Sequence, residues 1–179
     1  MARHFNPANV ITWLQDEEFQ QVLWELMDGE HIQNERTMQH HIASFVRMKL
    51  VEKVDGDFTY HQDFRVAIEE FDSERSDYPD FSIKGRGVQG QNSRTFLKVE
   101  FKFFGKKDEP EDDDKQKVRD DIEKIKSGLD PGEEGLKFEY GVVMFPVHSR
   151  DGWAPFIEEI IRETEDSEGL TILPIYRNQ

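Results

Sequence analysis

The stretch Pro79-Asp80-Phe81-Ser82-Ile83, followed after the turn-rich Gly85-Arg86-Gly87-Val88-Gln89-Gly90-Gln91-Asn92-Ser93 by Leu97-Lys98-Val99-Glu100-Phe101-Lys102-Phe103, decides the reading of this chain. Two runs of strand-forming residues around a glycine-rich insert predict an antiparallel hairpin with a long loop. Side chains alternate along a strand, so Leu97, Val99, Phe101 and Phe103 share one face while Lys98, Glu100 and Lys102 share the other. With the loop symmetric about Gly90, residues equidistant from it pair across the ladder, and Asp80 stands opposite Glu100 with Cβ atoms about 5 Å apart.

Two carboxylates facing each other on a sheet repel, so the pair calls for a compensating cation, and hard oxygen ligands at that separation suit Mg²⁺ or Mn²⁺. Lys102, two residues beyond Glu100 on the same face, is placed to orient a water and help deprotonate it for attack on a phosphodiester. Glu-x-Lys carries little weight by itself, since 21 Glu and 12 Lys in 179 residues produce it about once by chance. Its weight comes from the paired Asp80 and from the order of elements around it.

Outward from the hairpin, Val10, Trp13, Leu14, Phe19, Leu23, Trp24 and Met27 lie at helical spacings before Gly29. A second stripe, Met38, Ile42, Phe45, Val46 and Leu50, predicts another helix. Short β-branched and aromatic runs then predict strands near Phe58 to His61, Arg65 to Phe71, Asp80 to Lys84 and Thr95 to Phe104, with a turn at Asp55-Gly56-Asp57. Val118, Ile122, Ile125 and Leu129 restore the helical period over Asp114 to Leu129. Phe138 to Pro146 reads as a buried strand, Ala154 to Glu163 as a helix and Leu170 to Tyr176 as a last strand.

Pro79-Asp80, a gap, and Glu100-Phe101-Lys102 resemble the PD-(D/E)XK signature of the restriction-endonuclease-like nucleases. The resemblance implies an α/β fold with an αβββαβ core and a mixed central sheet flanked by helices, here spanning residues 34–147 of one domain over 1–179. Residues 1–30 would be an extra helical extension and 148–179 a closing helix and strand. It also implies Asp80 and Glu100 as metal ligands for Mg²⁺ or Mn²⁺, and Lys102 and Glu35 as further catalytic residues. Glu35 lies three and seven residues before Met38 and Ile42, on the core-facing stripe, and Glu69 or Glu70 is the alternative third acid. By the same resemblance, Gln116, Asp121 and Lys124 on the following helix line the site. Glu35 also reads simply as a first-turn acid behind an Asn34 cap, and the sequence leaves both readings open.

Other residues offer less. His40 and His41 point about 100° apart on a helix and form no zinc pair; His4, His31, His61 and His148 have no partner at ligand spacing. Ser149 has no nucleophile elbow, and Gly85-Arg86-Gly87 precedes neither a lysine-serine pair nor a helix. Trp153 reads as core, with stacking on a base as the alternative.

The chain has no cysteine, which removes disulfides, thiolate metal sites and cysteine nucleophiles. Apolar runs such as Tyr140 to Val147 are too short to span a bilayer and the N-terminus lacks the pattern of a signal peptide, so the expectation is a cytoplasmic protein without a membrane partner. The net charge of −15 opposes nucleic acid, yet Phe81 to Lys107 holds Lys84, Arg86, Arg94, Lys98, Lys102, Lys106 and Lys107 against the single acid Glu100. Lys84, Arg86, Arg94, Lys106 and Lys107 are therefore the expected nucleic-acid contacts, with DNA placed ahead of RNA and a homodimer left open. The competing class is non-enzymatic: a silent nuclease-fold binding protein, or an acidic mimic of DNA.

Overall fold

The computed structural model describes residues 8–54, 57–60, 64–68, 80–85, 95–129 and 140–177. Glu69, Glu70, Arg86, Gly90 and Arg94 lie outside them. The chain opens with two helices, α1 (Ala8–Leu14) and α2 (Glu17–Asp28). The break between them is Asp16, whose extended backbone and carboxylate, accepting from Phe19 N at 2.9 Å, start α2 afresh. At the other end of α2, His31 N donates to Leu26 O and Glu30 N to Met27 O. This closure puts Glu30 in the left-handed region (φ 61°), where glycine is normally favoured.

Helix α3 (Glu35–Lys49) is capped by Asn34, which accepts from Thr37 N at 2.9 Å, and buries Met38, Gln39, Ile42, Ala43 and Val46. Strands β1 (Val51–Val54) and β2 (Asp57–Tyr60) then form a separate two-stranded antiparallel sheet. The first of these was not expected; its four residues are too few for a periodic signal. The main sheet contains β3 (Phe64–Ile68), β4 (Phe81–Gly85), β5 (Thr95–Phe101), β6 (Tyr140–Val147) and β7 (Leu170–Tyr176), neighbours in that order. Strands β3, β4 and β5 are antiparallel, whereas β5, β6 and β7 are parallel, joined by α4 (Asp112–Lys126) and α5 (Arg150–Glu163).

The β4–β5 ladder pairs Phe81 with Val99, Ser82 with Lys98 and Ile83 with Leu97, each pair equidistant from Gly90. A bulge between Ile83 and Lys84 ends the symmetry at the loop side. Each face of the sheet is covered by helices. Leu97, Val99 and Phe101 of β5 pack with Val142 and Met144 of β6 against α1, α2 and α3. The alternate residues Val143, Phe145 and Val147 pack against Val118, Ile122 and Ile125 of α4 and Trp153, Phe156, Ile157 and Ile160 of α5. Period-2 alternation along two neighbouring strands thus sorts the side chains into two cores.

Helix α5 begins four residues earlier than its composition suggests, despite Gly152 and Pro155 in its opening turns. Ser149 caps it, and Gly152 sits where an added Cβ would overlap the Asp108 carbonyl. Trp153 is fully buried and donates through Nε1 to Lys107 O at 3.1 Å, so it is a core residue and no stacking platform. Among the described residues no helix is long and apolar enough to cross a membrane.

Candidate active site

Four elements supply the cluster. The end of β5 provides Glu100 and, just beyond it, Lys102, whose backbone N–H still donates to Met144 O at 3.0 Å. Asp80, immediately before β4, folds its carboxylate onto the same strand: Oδ2 accepts from Phe101 N at 2.7 Å. The N-terminus of α3 brings in Glu35, whose Oε2 is 3.9 Å from Lys102 Nζ. Asn34 caps the helix while Glu35 reaches the cluster, so the two readings of this turn are compatible.

Helix α4 completes the group. Asp121 Oδ2 stands 2.9 Å from Lys102 Nζ, and Lys124 Nζ stands 2.7 Å from Glu100 Oε1. Both are short ion pairs, and the two oxygens they engage, Glu100 Oε1 and Asp121 Oδ2, are buried from solvent. These two helix residues were suggested by the family resemblance alone. The local signal was present in Asp121, an acid embedded in the Val118, Ile122 and Ile125 stripe, where a charge needs a partner. Gln116 of the same helix instead donates to Asp120 on the exposed side.

The electrostatics follow from packing four carboxylates around two ammonium groups at low exposure. Burial, then the charge of Asp80, pushes the Glu100 carboxyl up to about 8 against the opposing pull of Lys124. Asp121 and Glu35 are raised for the same first reason, burial, with Lys102 opposing in each case. Burial alone would lower Lys102, but the close carboxylate of Asp121, helped by Glu35 and Asp80, outweighs it and keeps the ammonium protonated. Lys124 behaves likewise through Glu100.

The carboxylates of Asp80, Glu100, Glu35 and Asp121 are hard oxygen donors of the class that divalent cations take, one or two at a time with water completing the shell, and here the buried oxygens of Glu100 and Asp121 are each ion-paired to a lysine. Among the described residues no group of three or more acid or histidine side chains is placed to hold a metal ion. An open depression of about 540 Å³, lined by Glu35, Lys102, Phe103, Lys107, Asp114 and Lys117 among others, borders the cluster.

The expected nucleic-acid contacts are distributed differently. Lys84 is buried on β4. Lys106 pairs with Asp28 at 3.1 Å, and Lys107 with Asp114 at 2.8 Å and Glu111 at 3.3 Å. Arg86 and Arg94 fall outside the described residues. The basic excess of this segment in sequence is therefore partly balanced in space by acids from α2 and α4. No protein-family model, curated protein or solved structure matches the chain.

Proposed function

We propose that this protein is a metal-dependent nuclease of restriction-endonuclease-like fold that hydrolyses phosphodiester bonds, with DNA as the preferred substrate. The observation that carries the reading is the convergence of Asp80, Glu100 and Lys102 at one end of the β4–β5 hairpin, joined there by Glu35 from α3. The order α3, β3, β4, β5, α4, β6 supports it, with the β1–β2 hairpin as an insertion after the first helix.

A divalent cation, Mg²⁺ or Mn²⁺, would be held by Asp80 and Glu100 and would supply electrostatic stabilisation of negative charge developing on the phosphoryl oxygens. The chain's own residues do the rest. Lys102, kept protonated by its carboxylate neighbours, orients the attacking water and steadies the negative charge that grows on its oxygen. Glu35, half-exposed beside Lys102 and raised by burial, is the nearby acceptor for the proton that water loses. The new phosphorus–oxygen bond forms as the bond to the leaving oxygen breaks, and that oxygen takes its proton from solvent.

The test separates ligands from lysine. Asp80→Ala and Glu100→Ala should lose both metal affinity and cleavage, because the remaining oxygens cannot hold a hard cation. Lys102→Met should keep or improve metal affinity, since a positive charge leaves the neighbourhood, while cleavage falls about 10²–10⁴-fold. Plasmid nicking and single-strand cleavage in Mg²⁺ or Mn²⁺, alongside a calorimetric metal titration, read both. Wild-type cleavage by Lys102→Met would remove the role assigned to the lysine. A wild type inert on DNA and RNA in both ions would favour the binding protein or acidic mimic.

A further inference from the structure

Glu100 and Lys124 differ in how firmly each is held. The Glu100 side chain is 2% exposed and fixed on a central strand between β4 and β6, whereas Lys124 reaches it from the rim of α4 with 37% of its side chain exposed. Their contact is a 2.7 Å ion pair, and the Glu100 Oε1 it engages is otherwise buried from solvent. A lysine is a compact charge on a flexible stem and from a part-exposed position can swing toward water; a carboxylate on a buried strand cannot. A divalent ion at Glu100 Oε1 and an ammonium at that distance would repel strongly in so dry a place, and they cannot share the oxygen.

We propose that Lys124 is a tethered counter-ion that holds Glu100 until a divalent cation displaces it. This rests on the metal reading of the site. The lysine then sets the metal affinity of the protein: it compensates the charge of Glu100 whenever that carboxylate is ionised in the metal-free chain and must be expelled before the cation binds. Lys102 does not duplicate this role, because its closest carboxylate is Asp121 and it also lies near Glu35. Asp80 and Asp121, two further charged neighbours of Glu100 among the described residues, repel it and so favour any cation, tethered or free.

Calorimetric titration of Mn²⁺ into the full chain tests this with four variants beside the wild type. Lys124→Met should bind about tenfold more tightly, the factor expected if the lysine occupies the oxygen about nine-tenths of the time. Lys124→Arg, still cationic, should bind no more tightly than wild type. Without divalent ions Lys124→Met should melt earlier than wild type, and saturating Mn²⁺ should shrink that gap. Lys124→Gln serves the same purpose should the methionine variant fail to fold. Glu100→Gln should lose Mn²⁺ binding. If it does and the lysine variants bind no more tightly than wild type, the counter-ion role is overturned while the metal reading stands. Unchanged binding by Glu100→Gln, or no binding by wild type and Lys124→Met alike, overturns both.

Discussion

A carboxylate on a buried strand is one of the most expensive residues a fold can carry, and Glu100 is 1% exposed. Its proton is held up to about 8 against an ordinary 4.5, so the folded chain binds that proton more tightly than the unfolded chain does. The stability this gives is fully present below the ordinary value and is lost as pH rises through the folded one. Glu35 and Asp121 are raised by burial and act with the same sign, while Lys102 and Lys124, raised above 10.5, hold their contributions throughout this range. In chelator, the urea midpoint should therefore fall between about pH 5 and pH 8. Glu100→Gln should flatten that fall and exceed the wild type at pH 8 by more than about 1 kcal/mol. Parallel profiles for the two proteins would show that Glu100 is not the group responsible. Asp80, Glu100 and Lys102 were legible in the sequence because strand alternation and hairpin symmetry are local rules. Asp121 and Lys124 entered only through the family resemblance, with a local hint in the place of Asp121 on the apolar stripe, because which helix face meets the end of β5 is decided by packing across the whole second core.

At the scale of elements, the first turn of α5 offers a prediction on which two physical rules disagree in sign. Helix propensity says that Gly152→Ala should stabilise by about 1 kcal/mol. The packing says otherwise: the new Cβ would overlap the Asp108 carbonyl oxygen, which is backbone and cannot turn aside. The turn would have to lift, straining the Trp153 Nε1 bond to Lys107 O, and we expect a net destabilisation of about 1–3 kcal/mol in denaturant melts. A stabilised Gly152→Ala would mean that the segment after β5 yields instead. The same contact explains why the sequence hid the start of this helix. The expected helix begins at Ala154, just after Gly152, yet the Ser149 cap and the close approach of Gly152 to the Asp108 backbone place its start four residues earlier. The helical stripes of α3 and α4 and the β4–β5 register were readable because each repeats over several residues. The split of the first helix at Asp16 and the short β1 strand were not, since each turns on one or a few residues.

Across the whole molecule, a net charge of −15 means that any nucleic acid must be drawn in by a local field against a repulsive background. Lys84 is buried and Lys106 and Lys107 are engaged with acids, which leaves Arg86 and Arg94, between β4 and β5 in sequence and outside the described residues, as the remaining members of that basic set. A phosphate contact made by an arginine releases counterions, so each one lost should reduce the slope of log affinity against log salt by about 0.9 for duplex DNA. The measurement is best made in the Lys102→Met background with Mg²⁺, where binding should persist without cleavage. There, replacing Arg86 and Arg94 together by Gln should weaken DNA binding on every sequence tried and lower the slope by about 1.8, read by fluorescence anisotropy between about 50 and 200 mM salt. A weaker affinity with an unchanged slope would mean that the arginines shape the loop without touching phosphate. An unchanged affinity and slope would move the phosphate track to Lys107 and Lys117, which line the depression beside the cluster and could reach a backbone by exchanging their present acid partners for it.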